Sequence, residues 1–200
     1  MSLERRTRRL IVRPFREDDY ERLKESISSL LPQRSVFEVL KRDPKNKLTK
    51  KSYSAAIRRH REERSTDFRY RFAIIHRSSG QLLGVVTLGD ICRGAFQNAC
   101  LGSHIFNQHW GQGFATEAVR ACIRIAFEEL GFHRVEAAIS SRNKRSIAVA
   151  KRVGMRYEGL SKKRIFERGD WQDMRIYSLT AEDLGFKYTS QECHKHLTRR

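Results

Sequence analysis

One stretch of the chain decides the fold: Gln108-His109-Trp110-Gly111-Gln112-Gly113-Phe114-Ala115-Thr116-Glu117-Ala118. It follows a strand-like run, Cys100 to Phe106, and opens a long amphipathic segment, Phe114 to Leu130. Glycine lets a main chain adopt angles that a Cβ atom would forbid. The first free N–H groups of a helix, backed by the positive end of its dipole, attract anions. The stretch therefore predicts an anion site where a strand passes into a helix.

Hydrophobic periodicity on both sides of this stretch predicts a mixed α/β order. Ser78-Ser79-Gly80 has the composition of a hairpin turn, and Gly84 inside a strand-like run indicates a bulge or a close backbone approach. Residues 89–98 are expected to be a connection, and residues 34–46 fit either a loop or a helical turn. The predicted strands are 10–13, 69–77, 81–88, 100–106, 133–139, 157–166 and 172–179, and the predicted helices are 16–30, 49–64, 114–130 and 143–153.

The length of 200 residues fits one domain, expected at 1–180, followed by a polar, basic tail at 181–200. No apolar run reaches the roughly 18 residues that a membrane helix needs, and no apolar signal core follows the basic N-terminus. A cytoplasmic protein without membrane contact is expected. The four cysteines form no C-x-x-C pair, which argues against a disulfide framework or a zinc site. His194 and His196 lie in the basic tail without a second ligand cluster, so no metal site is predicted.

The net charge of +18 predicts attraction to a polyanion. Nucleic acid, a ribosomal surface and a multiply phosphorylated cofactor all satisfy that condition, and so does a solvated basic surface with no specific partner. Charge alone does not choose among them, because net charge reports on partners and not on fold.

The glycine turn also fits part of a dinucleotide fingerprint, Gly111-x-Gly113-x-x-Thr116, with Glu136 about 20 residues further on. The third glycine is missing, however, and Glu136 lies inside a predicted strand and not at its end. A P-loop is excluded because no Gly-Lys-Ser/Thr follows.

The whole run from Gln108 to Ala118 closely resembles the acetyl-CoA pyrophosphate loop of the GNAT N-acetyltransferase superfamily. Three further segments carry the resemblance: Asn143-Lys144-Arg145-Ser146, Val153-Gly154-Met155 and Gly169-Asp170-Trp171-Gln172-Asp173. Arg93 to Phe96, followed by Ala99 to Gly102, resembles the branch that acetylates the N-termini of ribosomal proteins. The resemblance implies an α/β (α+β) fold whose mixed, mostly antiparallel central sheet is splayed beside the acetyl-CoA site, with helices on both faces.

The resemblance also implies a set of cofactor contacts. Backbone N–H groups from Gln112 to Ala115 would hold the pyrophosphate, and Ile105 and Phe106 would pair with the pantetheine arm beside Ile139. Asn143 would bond that arm, although Asn also favours the helix N-cap position, and both roles stay open. The implied cofactor-binding residues are Ile105, Phe106, Gln108, Gly111, Gln112, Gly113, Phe114, Ala115, Thr116, Asn143 and Ser146.

Catalysis in this family is direct attack of a neutral amine on the thioester, without a covalent enzyme intermediate. Many members carry a tyrosine acid where this chain has Ala150, so Ser146 becomes the candidate proton donor to the departing thiolate. Some ribosomal acetyltransferases carry a glutamate base at the position of Ile165. Glu167, two residues on and on the same strand face, and His104, before the loop, are the candidate bases.

The expected function is therefore acetyl transfer from acetyl-CoA to an amine, with the N-terminal α-amine of a ribosomal protein as the first candidate acceptor. Two alternatives remain: a GNAT enzyme acting on a small-molecule amine, such as a polyamine or antibiotic, and a non-enzymatic basic protein that binds RNA. Expected partners are a ribosomal protein or the ribosome surface, and the sequence leaves monomer and dimer open.

Overall fold

The structure, a computed structural model, describes residues 3–38, 48–167 and 169–186. Most elements fall where the periodicity predicts them, usually within a few residues at each end. The strands are β1 (Arg5–Arg6), β2 (Leu10–Pro14), β3 (Tyr70–His76), β4 (Leu82–Cys92), β5 (Asn98–Ile105), β6 (Arg134–Ser140), β7 (Arg156–Glu167) and β8 (Asp170–Thr180). The α-helices are α1 (Tyr20–Ser28), α2 (Lys50–Ser65), α3 (Phe114–Arg124) and α4 (Lys144–Arg152).

The described strands form one mixed, mostly antiparallel sheet in the order β1-β2-β3-β4-β5-β6-β8-β7. The β5–β6 pair is parallel and covers Asn98–Cys100 opposite Arg134–Glu136. Beyond that short register, β6 continues to Ser140 with β8 on its other side. The chain divides into two compact units, Met1–Thr87 with Ser103–Cys122 and Leu88–Gly102 with Ile123–Arg200.

The first unit is built on the β2–β3 pair, whose register runs from Leu10 opposite His76 to Pro14 opposite Phe72. Leu10, Val12 and Phe72 are fully buried there, so the strand alternation predicted from the sequence contributes directly to this core. Thr49 caps α2 by accepting a hydrogen bond from the Ser52 N–H, which satisfies one of the free donors at the start of that helix.

The first unit also holds a buried ion pair between Arg13 and Asp19. Two hydrogen bonds of 2.7 Å join the guanidinium to the carboxylate, and both side chains are almost fully buried. Burial raises the pKa of Asp19, but the hydrogen bonds from Arg13 and from the Arg16 backbone lower it by more. The net pKa is below the usual aspartate value, so the carboxylate stays ionised. The pair ties the end of β2 to the turn that precedes α1.

The second unit is built on β6, β8 and β7, with Val135, Tyr177 and Leu179 buried. The predicted helix 114–130 keeps its length, but its last part, Ile125–Glu129, is a π-helix. Leu130 closes this turn by donating from its N–H to the Ile125 carbonyl, 3.1 Å away.

Two predictions at element ends differ from the structure. Residues 89–92 belong to β4, so the predicted connection begins later; Gly89-Asp90 has turn composition, but Asp90 adopts a positive φ of 47° within the strand. The predicted polar tail has a packed beginning, because Ala181 is buried and the Phe186 ring lies 6.2 Å from that of Phe127. The rest of the tail, with His194 and His196, and the ambiguous segment from residue 39 lie outside the described residues.

Gly84 marks a close backbone approach, one of the two alternatives that its position in a strand predicted. A Cβ atom built on Gly84 would lie 2.1 Å from the His104 carbonyl oxygen and 2.9 Å from the Ile105 Cα. Both atoms belong to the backbone of β5, so neither moves without displacing the end of that strand.

We expect Gly84→Ala to lower the thermal midpoint, with a loss of stability of about 1–3 kcal/mol or more, because the added methyl overlaps backbone atoms. Differential scanning calorimetry measures the loss. Gly102→Ala is the matched control: Gly102 lies in β5 with open space around its Cα, and alanine in a strand costs less backbone entropy than glycine. Equal midpoints for the two variants would contradict the close approach.

Candidate active site

The predicted anion loop lies in the first unit, between β5 and α3. A 3₁₀ turn, Asn107–His109, follows β5, and α3 begins at Phe114. Gly111 and Gly113 have φ values of +83° and +78°, in the region that residues with a Cβ rarely adopt. The space next to the Gly111 Cα is open. The glycines therefore serve the conformation for which the sequence predicted them.

The start of α3 supplies donors to this loop. The Glu117 N–H donates to the Gly113 carbonyl at 3.2 Å, which is a bond of the first helical turn. The N–H groups that precede it, from Phe114 to Thr116, have no carbonyl one turn earlier within the helix. With the helix dipole behind them, these groups could hold a phosphate or pyrophosphate.

Arg9 fixes the loop from the side of β2. Its backbone N–H and its Nε donate to the two carboxylate oxygens of Glu117 at 2.9 and 2.7 Å. Its Nη1 donates to the Gln112 carbonyl at 2.9 Å, and its guanidinium lies 4.6 Å from the centre of the Phe114 ring. Thr7 completes the set, since its hydroxyl donates to Glu117 at 2.6 Å.

The Arg9–Glu117 pair anchors the loop with two ionised groups whose charges offset each other. Burial raises the pKa of Glu117, but the bonds from Thr7 and Arg9 outweigh it and leave the pKa below the usual glutamate value. Sequence reasoning missed Arg9 as a functional residue. The sequence shows Glu117 in the first turn of a predicted helix and an arginine-rich N-terminus, but it does not indicate that Arg9 and Glu117 form a pair.

The loop is also anchored to α1. Gln108, predicted to contact the cofactor, donates from its side-chain amide to the Ser26 carbonyl at 2.9 Å and to the Ser29 hydroxyl at 3.2 Å. Its Oε1 is buried and has no hydrogen-bond partner among the described residues. Gln108 therefore has a structural contact and one open acceptor.

Ile105 ends β5 and Phe106 follows it, and backbone groups of both residues form hydrogen bonds within the protein. The Phe106 N–H donates to the Leu83 carbonyl at 2.9 Å, and the Phe106 carbonyl accepts from the His109 N–H at the same distance. The Ile105 carbonyl accepts from the Trp110 indole at 2.7 Å. These three groups already have protein partners, and the pairing of Ile105 and Phe106 with a pantetheine arm stays a prediction.

His104 lies in β5, just before the loop, and its ring packs 5.9 Å from that of Phe106. Burial lowers the pKa of His104, and the nearby Glu38 carboxylate opposes that shift without cancelling it. The imidazole is therefore neutral at neutral pH and can accept a proton. Glu38 is itself buried, and accepts hydrogen bonds from the Arg34 N–H and the Asn107 side-chain amide.

Asn143 and Ser146 lie in the second unit, at the start of α4. The Asn143 Oδ1 accepts from the Ser146 N–H at 3.2 Å, which confirms the N-cap role. The Asn143 amide nitrogen and the Ser146 hydroxyl have no hydrogen-bond partner in the part of the chain that the structure describes. The cap thus leaves a donor on Asn143 for a second contact. Ala150, where related enzymes carry a tyrosine, is buried.

The remaining candidate, Glu167, ends β7 opposite Asp170 and is exposed. Next to it, the rings of Phe166 and Trp171 make an edge-to-face contact at 5.6 Å. Glu167 thus lies in the second unit with Asn143 and Ser146, whereas the loop, Ile105, Phe106 and His104 lie in the first. No group of three potential metal ligands occurs among the described residues, and none of their helices is long and apolar enough to cross a membrane.

Comparison with known proteins agrees with this geometry. Residues 9–156 match the acetyltransferase (GNAT) domain family. Over 127 residues the chain is 36% identical to "Probable N-acetyltransferase YjcK" of Bacillus subtilis, covering 64% of this chain and 70% of the relative. It is 30% identical to the [ribosomal protein uS5]-alanine N-acetyltransferase of Escherichia coli, over 56% of this chain and 58% of that enzyme.

A solved structure, Mycobacterium smegmatis RimJ in complex with CoA-disulfide, superposes with a TM-score of 0.71 at 26% identity. The superposition covers 94% of this chain and 88% of that one. The positive-φ glycines, the free N–H groups at the start of α3 and the anchoring of the loop by Arg9 fit the pyrophosphate of coenzyme A. The chain belongs to the GNAT acetyltransferase family, and it is an acetyl-CoA-dependent N-acetyltransferase.

Proposed function

We propose that this enzyme acetylates the N-terminal α-amine of a ribosomal protein in the cytoplasm. The observation that carries the proposal is its 30% identity to the uS5-alanine N-acetyltransferase, whose name gives an alanine of a ribosomal protein as the acceptor. The net charge of +18 supports it, because a basic enzyme is attracted to particles rich in RNA.

In this proposal, the residues of the first unit bind and orient acetyl-CoA. The N–H groups from Gln112 to Thr116 hold the pyrophosphate, and Arg9 keeps the loop in place. In the second unit, the Asn143 amide donates to the pantetheine arm while its Oδ1 caps α4. Acetyl-CoA supplies an acetyl thioester, whose carbonyl carbon bonds to the amine nitrogen as the C–S bond breaks.

Two side chains move the protons. The neutral His104 takes up the proton that the amine loses, and the Ser146 hydroxyl donates one to the departing thiolate. We favour His104 over Glu167 as the base because burial keeps the imidazole neutral, whereas Glu167 is exposed. Its lowered pKa makes His104 a weak base. Such a base suits an α-amine, with a pKa of about 8, better than the primary amines of lysine or a polyamine, with values of about 10.

An acceptor screen tests the proposed function. We expect thiol release from acetyl-CoA with peptides that carry the N-terminal sequences of ribosomal proteins, and with intact ribosomal proteins. Matched peptides with a blocked α-amine and an internal lysine are the control and should not react. Turnover with polyamines or antibiotic amines, and none with the peptides, would instead make the enzyme a small-molecule acetyltransferase.

Arg9→Ala should raise the dissociation constant for acetyl-CoA at least about tenfold, equivalent to about 1.4 kcal/mol, because the loop loses its anchor and a nearby charge. Isothermal titration calorimetry measures it. Arg8→Ala is the matched control, since it removes the same charge from an exposed side chain one residue away. Equal weakening in both variants would reduce the role of Arg9 to its contribution to net charge.

The acid–base pair is tested by pH dependence. The wild-type kcat should fall on the acid side of the profile, below pH 6.5, as His104 takes up a proton; in His104→Gln that fall should disappear and kcat should drop about 100-fold or more. Ser146→Ala should lower kcat more than acetyl-CoA affinity and keep the acid limb. The control for Ser146 is Ser52→Ala, at the same position of another capped helix.

A wild-type kcat in Ser146→Ala would remove Ser146 as the proton donor. Loss of the acid limb in Glu167→Gln, with the limb retained in His104→Gln, would transfer the base role to Glu167.

A further inference from the structure

A cavity of about 390 Å³ opens at the far end of β2, within the first unit. Its charged lining consists of four arginines and one carboxylate, Arg13, Arg16, Arg61, Arg64 and Glu4, and its apolar lining includes Pro14 and Phe15. Its volume lies within the range of about 300–1,000 Å³ that small-ligand pockets occupy.

This cavity is distinct from the anion loop. Arg9, which contacts the loop, precedes the first residue of β2, whereas Pro14 ends the strand and Arg16 follows it. A strand advances about 3.3 Å per residue, so Arg9 and Pro14, five residues apart, are separated by roughly 16 Å. A ligand in the cavity would not compete with phosphates bound at the loop.

The charges that line the cavity are only partly neutralised. Arg13, at its edge, is fully engaged by Asp19, and Arg16 pairs with Glu4 at 3.0 Å. Arg61 and Arg64, one turn apart on α2, have no carboxylate partner in the described part of the chain.

Two glutamates, Glu62 and Glu63, lie between these arginines in sequence, and neither forms an ion pair with them among the described residues. Glu63, between them in sequence, forms its ion pair with Arg71. Two guanidinium groups on one helix face thus line the cavity without a carboxylate partner of their own, and their N–H donors are available to an anion.

The apolar part of the lining makes the ligand more specific than a bare anion. Phe15 is half-buried, and its ring packs 6.0 Å from the His60 ring behind it. Burial and the charge of Arg71 lower the pKa of His60 to about 4, so the imidazole ring that packs against Phe15 is uncharged at neutral pH. A flat apolar ring and a pair of guanidinium groups match the base and the phosphate of a nucleotide.

We propose that this cavity binds a nucleotide unit, with its phosphate on Arg61 and Arg64 and its base against Phe15 and Pro14. The unit is either part of an RNA strand or a free nucleotide, since both offer the same chemistry. The proposal stands independently of the acceptor amine, because no residue that we assign to acetyl transfer takes part in it.

The test uses the full chain saturated with acetyl-CoA, so that the anion loop is occupied. Binding of a short fluorescein-labelled single-stranded RNA is followed by anisotropy, and AMP is titrated as a competitor. We expect the double variant Arg61→Ala/Arg64→Ala to weaken RNA binding at least tenfold and to reduce its salt dependence. Phe15→Leu should weaken binding with the salt dependence unchanged, because it removes stacking and no charge.

The matched control is Arg58→Ala/Arg59→Ala, which removes the same charge from exposed positions of α2 that do not line the cavity. It should change RNA affinity less than about twofold, by the weak effect of distant charges. Affinity for acetyl-CoA and the thermal midpoint should be unchanged in both double variants, which shows that the fold is intact.

Displacement of RNA by AMP, with AMP binding also lost in Arg61→Ala/Arg64→Ala, would identify a free nucleotide as a sufficient ligand. RNA binding without displacement would identify the strand. Equal weakening by the two double variants, or no binding of either probe to the wild type, would overturn the site.

Discussion

The ion pair between Arg9 and Glu117 is the interaction on which the anion loop depends. Glycine at positions 111 and 113 permits the positive φ angles of the loop, but glycine also leaves a chain more freedom to lose on folding. Bonds from outside the loop must supply the order. Arg9 supplies them at three points, because it bonds Glu117 with its backbone and its side chain and bonds the Gln112 carbonyl as well.

The arginines near β2 also show why net charge predicts so little by itself. Arg9 holds a loop, Arg13 is buried against Asp19, and the exposed Arg16 lies at a cavity and pairs with the half-buried Glu4. All three add equally to the charge of +18. The carboxylates that hold Arg9 and Arg13 lie on other elements, so these two arginines position the loop and stabilise the fold. The charge that can attract a polyanion is carried by side chains such as Arg61, which has no carboxylate partner among the described residues.

Much of the fold could be predicted from the sequence because it depends on local patterns. Strand alternation, the glycine turn and the Asn143 cap are each set by residues within one or two turns of each other. The Arg9–Glu117 pair could not be predicted in this way, since 108 residues separate the partners and both residue types are common on surfaces. The proximity of the buried Glu38 to His104 was missed for the same reason. Gly89-Asp90 was wrongly predicted to start a connection, because these residue types are common in turns, whereas here Asp90 adopts a positive φ inside β4.

The fate of the acidic residues bears on the choice of acceptor. A polyamine carries several positive charges, so an enzyme that binds one needs carboxylates free to face it. The sequence offers one acidic run, Glu17-Asp18-Asp19. In the structure Asp19 is buried against Arg13, and Glu17 accepts a hydrogen bond from the Ser54 hydroxyl at 2.9 Å. Two of the three acids are thus committed to joining β2, α1 and α2, and a cationic substrate gains little from them. An α-amine at the end of a peptide needs no acidic pocket, and only one proton must be removed from it. A neutral His104, the base that we propose, can accept that proton.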